Sequence, residues 1–92
     1  MAAPITTPAQ AQEIAGKIGI RWETSHFDLE QFRMGMDVEL EHGKRDAETN
    51  VTNDDLLVTG KIALAHLREF PDYYTRLAKM ENEADAYWKT QK

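Results

Sequence analysis

Two short motifs in the sequence each place a glutamate and a histidine three residues apart. The first is Glu39-x-x-His42 and the second is His66-x-x-Glu69. Residues three apart on a helix project from one face about one turn apart, so each pair can bind a single cation. Imidazole and carboxylate ligands suit first-row transition metals such as Zn, Fe, Mn and Ni. The motifs therefore predict a divalent metal site formed by Glu39, His42, His66 and Glu69.

Both histidines also have a purely structural interpretation. On a helical wheel His66 falls deep in an apolar arc, where a buried imidazole needs a hydrogen-bond partner such as a tyrosine hydroxyl, a carboxylate or a backbone carbonyl. His42 comes near the predicted end of its helix, where a protonated imidazole interacts favourably with the helix dipole. Tyrosine can ligate iron or act as an acid, so Tyr73 or Tyr74 beside His66 would matter to either interpretation. The pattern specifies no reaction.

Other chemistries find little support in the sequence. The run Asp46-x-Glu48-x-Asn50 alternates oxygen ligands as a calcium loop does, but an EF-hand needs glycine and glutamate where Val51 and Leu57 stand. A solvated, helix-capping loop is the better interpretation. The chain has no phosphate-binding glycine loop, dinucleotide fingerprint or nucleophilic serine motif, so no nucleotide cofactor is expected.

Capping motifs predict the first two of four helices. Thr7 with Gln10 begins a helix that runs to Lys17 or Ile18 and stops at Gly19. Asp28 with Gln31 begins a second helix that reaches His42 and ends at Gly43. The second helix carries one apolar stripe of Leu29, Phe32, Met36 and Leu40 and another of Met34 and Val38. The second stripe is available to another helix or to a second copy of the chain, and Gly35 allows a neighbouring backbone to approach.

The third and fourth helices follow a polar loop. Thr52 with Asp55 is the predicted cap of a third helix, which continues to Glu69 and is apolar around most of its circumference. Pro71 ends it and can be the first residue of an amphipathic fourth helix. The apolar residues of that helix alternate by four and three: Tyr73, Leu77, Met80, Ala84 and Tyr87.

Length and composition limit the class of protein. A chain of 92 residues forms one domain, predicted here as an all-α bundle over residues 1–92 with a flexible tail at 1–7 and a frayed end at 89–92. It has no cysteine, and no stretch is long and apolar enough to span a membrane, so we expect a cytoplasmic protein. Its net charge of −5, with thinly spread basic residues, argues against nucleic acid as a partner.

Four blocks of sequence resemble a small bacterial family of unknown function. They lie between about Phe27 and Glu81 and read ELEHG, TNVTNDD, KIALAHL and PDYY. The resemblance implies a bacterial origin and no particular activity. Two functional hypotheses follow from the residues. One is a metal-binding helical protein, and the other is a non-enzymatic interaction module that forms a homodimer or binds another protein through the Met34 and Val38 stripe or the tyrosine-bearing helix.

Overall fold

The computed structural model describes residues 5–45, 48 and 55–91, with the side chains of residues 42–45 excepted. Within these residues the chain forms four α-helices: α1 (Pro8–Lys17), α2 (Leu29–Arg45), α3 (Leu56–Glu69) and α4 (Tyr73–Lys89). Helices α2 and α3 pack most extensively against each other, and each also contacts α1 and α4. None of these four helices is long and apolar enough to cross a membrane. The predicted all-α bundle of four helices is confirmed.

The predicted ends of α1 and the start of α2 are also confirmed. Thr7 Oγ1 accepts a hydrogen bond from the Gln10 N–H at 3.1 Å, and the Gln10 side-chain oxygen accepts one from the Thr7 N–H at 2.9 Å. After α1 the chain reverses at Gly19, whose φ of +83° lies in the left-handed region that favours glycine. Asp28 caps α2, because its carboxylate accepts a hydrogen bond from the Gln31 N–H at 2.9 Å.

Three predicted boundaries are wrong. Helix α2 continues through Gly43 to Arg45. The cap of α3 is Asp55, whose carboxylate accepts hydrogen bonds from the N–H groups of Leu57 and Val58. The predicted cap, Thr52, lies outside the described residues. Helix α4 begins at Tyr73, and Pro71 stays in the preceding turn.

The core lies between α1, α2 and α3 and is closed by the first turn of α4. The predicted stripe of α2 is buried at Phe32, Met36 and Leu40, and it meets Leu67 of α3 and Tyr74 of α4. The second stripe, Met34 and Val38, is partly buried against the same core. The core is thin, and its helices approach closely: a Cβ on Gly60 would lie 2.5 Å from Cγ2 of Ile14.

Helices α3 and α4 are less covered than their sequences suggest. Leu57 and Val58 lie on the surface of α3, although that helix was predicted to be buried around most of its circumference. In α4 only the first two turns pack against the bundle, and every residue from 78 to 91 is exposed. The apolar stripe therefore continues into solvent at Met80 and Tyr87.

The residues just before α1 are held against α2 by one carboxylate. Asp37 accepts hydrogen bonds from the Thr6 N–H at 2.8 Å, the Thr6 hydroxyl at 2.6 Å and the Ile5 N–H at 3.2 Å. It also accepts one from Nη1 of Arg33 at 2.9 Å. Thr6 is buried as a result. Residues 5–7 thus belong to the packed domain, whereas the sequence placed them in a flexible tail.

Candidate functional site

Glu39 and His66, predicted ligands on two different helices, lie next to each other in the folded chain. Oε2 of Glu39 on α2 is 3.8 Å from Nε2 of His66 on α3. That distance is too long for a hydrogen bond. The same carboxylate oxygen accepts a hydrogen bond of 2.9 Å from the hydroxyl of Tyr74 on α4. Three helices therefore contribute one polar side chain each to a single point.

Both tyrosines at the start of α4 contact the histidine. The His66 ring stacks on Tyr73, with ring centres 4.4 Å apart and planes 13° from parallel. The Tyr74 ring meets it edge-on at 6.1 Å. Nδ1 of His66 is buried and has no hydrogen-bond partner among the described residues. Nε2 of this imidazole faces Glu39.

Tyr74 holds the carboxylate from the protein interior. It is one of the largest fully buried side chains, and its ring lies directly over Gly35 of α2. A Cβ at position 35 would overlap that ring, so the close approach expected at Gly35 is made by a tyrosine rather than by a neighbouring backbone. Burial, and then the negative charge of Glu39, raise the pKa of the Tyr74 hydroxyl far above its usual value. The hydroxyl therefore remains a hydrogen-bond donor to Glu39.

Glu39, His66 and Tyr73 open onto a cavity of about 330 Å³, here called the histidine cleft. Three carboxylates line it, one of them from α4, together with the imidazole and three other side chains: Val38, Glu39, Glu41, His66, Tyr73, Leu77 and Glu81. The Glu39 side chain is 15% exposed and that of His66 is 33% exposed. The histidine thus lies at the edge of the core, not deep within the apolar arc as predicted. A small cation in the cleft can reach both.

The other two predicted ligands do not join this pair in the described part of the protein. Glu69 is exposed on α3 and does not line the histidine cleft. The His42 side chain lies outside the described residues. Among the side chains that are described, no three of the His, Asp or Glu type are grouped closely enough to hold a metal ion. The complete set of Glu39, His42, His66 and Glu69 stays a prediction.

Sequence reasoning missed two features of the site. The bond between Tyr74 and Glu39 joins residues 35 positions apart, and no local pattern indicates which carboxylate a buried tyrosine will meet. Glu81 lines the cleft because α4 begins at Tyr73 and runs beside α2. The only indication in the sequence that Glu81 lines the cleft was its position on α4, one turn beyond Leu77.

The comparisons with known proteins give a family and no activity. No curated protein and no solved structure matches the chain. A family described as "Protein of unknown function (DUF5661)" matches residues 11–83, which include Glu39, His66, Tyr73 and Tyr74. The match reaches further toward the N-terminus than the resemblance that began near Phe27. Since it covers well over half of the sequence, the chain belongs to the DUF5661 family.

Proposed function

We propose that this protein binds a first-row transition metal ion in the histidine cleft, with Glu39 and His66 as ligands. The observation that supports this most is the 3.8 Å separation of Glu39 Oε2 and His66 Nε2. Zinc binds such oxygen and nitrogen atoms at about 2.1 Å, so two ligands of one tetrahedral ion lie about 3.4 Å apart. A shift of a few tenths of an ångström brings the pair to that distance.

The surroundings of the pair favour a cation. The Tyr74 hydroxyl donates to Glu39 and orients the carboxylate, as an outer hydrogen bond does for many metal ligands. Glu41 and Glu81 line the same cleft and add negative charge. His42, three residues after Glu39 on α2, is the proposed additional ligand, and water completes the coordination. A bound ion would tie α2 to α3.

The first test is metal content and affinity. We expect wild-type protein, purified without a histidine tag, to bind about one equivalent of Zn²⁺ or Co²⁺ by calorimetry and by elemental analysis. His66→Ala and Glu39→Gln should each weaken binding at least about 10-fold, since losing even a group that only hydrogen-bonds a metal ligand costs about 10- to 100-fold. Glu39→Gln retains an oxygen that can accept from Tyr74, so its effect reports the loss of charge rather than of packing. Binding of Co²⁺ should also give a visible absorption band.

Matched variants separate the site from adventitious binding. His26→Ala removes an exposed histidine from the loop before α2, and Glu83→Gln removes an exposed carboxylate from α4, so both should bind as the wild type does. His42→Ala decides whether the second predicted histidine is a ligand. A wild type that takes up none of these ions would overturn the proposal. So would equal loss of binding in His26→Ala and His66→Ala.

A second candidate function, self-association, is favoured by the exposed half of α4. Met80, Tyr87 and Trp88 are 58%, 55% and 68% exposed. Met80 and Tyr87, with Tyr73, Leu77 and Ala84, form an apolar stripe whose spacing of four and three is that of a coiled-coil seam, and Trp88 lies beside its end. The stripe begins at an apolar groove of about 240 Å³ between Phe70 and Met80. Such a groove can receive an apolar side chain.

The distribution of charge along α4 favours a second copy of the chain as the partner that covers the apolar stripe. Its first half carries Arg76 and Lys79, and its second half carries Glu81, Glu83 and Asp85 before the terminal Lys89. Two such helices packed antiparallel place each basic half beside an acidic half. With Leu77 of one copy against Met80 of the other, Ala84 and Tyr73 of opposite copies also come together. We therefore propose an antiparallel homodimer through α4.

Sedimentation measurements on the full chain test this dimer. The wild type should sediment at twice the 10.5 kDa mass of the chain, and Met80→Glu should sediment as a monomer, because a charge in the seam opposes pairing. Leu57→Glu, at an exposed apolar position of α3, should leave the dimer intact. A wild type that is monomeric at high micromolar concentration would refute the proposal. An unchanged dimer in Met80→Glu would move the interface elsewhere.

A further inference from the structure

A second cavity, of about 320 Å³, lies between α3 and the loop that joins α1 to α2. Its polar side chains are Arg21, Thr24, Ser25, His26 and Arg68. Two arginines, a histidine and two hydroxyl groups thus face one space, and none of the described carboxylates lines it. In a chain with 16 acidic and 11 basic residues, this is an unusual concentration of positive charge. We call it the arginine cleft.

The two arginines of the cleft differ from the others that the structure describes. Arg33 is bonded to Glu30 and Asp37, and Arg76 is bonded to Asp72. Neither Arg21 nor Arg68 has a carboxylate partner through its side chain within the described residues. Each guanidinium retains five N–H donors in a planar fork that matches a carboxylate or a phosphate. Of the arginines whose side chains the structure describes, the two without a carboxylate partner therefore lie at one cavity.

The hydroxyl groups of the loop donate their hydrogens to the loop's own backbone. The Ser25 hydroxyl donates to the carbonyl of Arg21 at 2.7 Å, and the Thr24 hydroxyl donates to the same carbonyl at 3.3 Å. The Ser25 N–H also donates to it at 3.0 Å. These bonds close a tight turn around Arg21. The donors left for a ligand are the guanidinium groups of Arg21 and Arg68 and the His26 imidazole.

Apolar side chains form the rest of the cavity wall. Phe27 comes from the loop, and Leu64 and Leu67 come from α3 beside Arg68. A cavity of a few hundred cubic ångströms that combines an apolar wall with a few polar groups is typical of small-molecule sites. An inorganic anion alone would leave the apolar wall unused. The ligand that fits both features is a small organic anion with an apolar or aromatic part.

We propose that the arginine cleft binds such an organic anion, with Arg21 and Arg68 holding its carboxylate or phosphate group and Phe27 contacting its apolar part. This site shares no residue with the histidine cleft, so it stands or falls independently of the proposed metal ion. Charge-assisted, bidentate hydrogen bonds to arginine supply the recognition. The apolar wall supplies contact area with the remainder of the ligand.

Amide chemical-shift titrations of the full chain test this site with three probes. Benzoate carries a carboxylate, phenyl phosphate carries a phosphate, and benzyl alcohol is neutral and of similar shape. We expect saturable shifts at Ser25, His26 and Arg68 with at least one anionic probe and at least about 10-fold weaker binding of benzyl alcohol. The stronger of the two anions identifies the head group. Inorganic phosphate, added separately, measures the contribution of the apolar wall.

Variants connect the binding to the arginines. The double variant Arg21→Gln, Arg68→Gln should weaken binding of the preferred anion at least about 10-fold. Lys61→Gln removes one positive charge from α3, the helix of Arg68, but outside the cleft, so it should bind as the wild type does. The wild-type helical circular dichroism spectrum should be retained in both. Absence of saturable shifts with both anions, equal binding of benzyl alcohol, or undiminished binding in the double variant would each overturn the proposal.

Discussion

Replacing Tyr74 by alanine is expected to lower the free energy of unfolding by about 3–5 kcal/mol, the cost of truncating a large buried aromatic residue. Tyr74 is 1% exposed, packs over Gly35 and joins α4 to the core. A domain of this size has a total stability of roughly 5–13 kcal/mol, so the variant loses a large part of it. Chemical denaturation followed by circular dichroism measures the change.

Two further variants separate the parts of this effect. Tyr74→Phe keeps the ring and removes only the hydrogen bond to Glu39, which should cost about 1–2 kcal/mol because the partly exposed carboxylate can then bind water. Lys79→Ala, at an exposed position of the same helix, should change stability by less than about 0.5 kcal/mol. If Tyr74→Phe were as destabilising as Tyr74→Ala, the hydroxyl rather than the ring would be the main contributor.

Replacing Asp37 by alanine is expected to cost about 2–3 kcal/mol, since hydrogen bonds to a charged group contribute more than neutral ones. The carboxylate accepts four hydrogen bonds, three of them from the segment before α1. Without it the buried Thr6 loses the partner of its N–H and of its hydroxyl. We therefore expect residues 5–7 to leave the surface of α2 while the four helices remain formed.

Hydrogen exchange at the Thr6 amide checks this directly. The amide should be protected in the wild type and should exchange freely in Asp37→Ala. Glu30→Ala is the matched control, because it removes the other carboxylate bonded to Arg33 but touches neither Thr6 nor Ile5. It should cost less than about 1 kcal/mol, as exposed ion pairs do. Continued protection of Thr6 in Asp37→Ala would show that apolar packing alone holds the segment.

Local signals in the sequence were enough to place most helix ends. The caps at Thr7 and Asp28 and the stop at Gly19 depend on residues within one turn of each other, and all three are correct. The start of α3 was displaced by three residues because Thr52 and Asp55 are both good caps, and only the fold shows which one is used. Gly43 did not end α2, since a glycine inside a helix costs only about 1 kcal/mol.

Burial was predicted less well, for a physical reason. Periodicity shows that one face of a helix is apolar, but it does not show how much of that face another element covers. Four helices cannot surround any one of them, so Leu57 and Val58 of α3 stay exposed. Most of the α4 stripe extends beyond the bundle for the same reason. A helix that is apolar around most of its circumference can therefore still expose apolar residues in a small domain.

The sequence predicted two residues of the candidate site, Glu39 and His66, but not the contact of Glu39 with Tyr74. Spacing within single helices identified Glu39 and His66 as residues suited to a shared cation, and the fold places them 3.8 Å apart. Spacing did not identify Tyr74 as the partner of Glu39, because that contact arises from the docking of α4 on α2. It also gave no means of distinguishing Glu69, which lies outside the cleft, from Glu39, which lines it. Contacts between helices distant in sequence decide such cases.

The three helices that meet at Glu39, His66 and Tyr74 also make occupancy of the histidine cleft measurable without any assay of activity. These residues come from α2, α3 and α4, so an unfolded chain does not keep them together. A ligand that binds only the folded form raises the free energy of unfolding by about 2.7 kcal/mol at one hundred times its Kd. In a small domain that corresponds to a Tm increase of roughly 10–20 °C. Melting curves recorded against a panel of ions can therefore rank occupants of the cleft before any reaction is known.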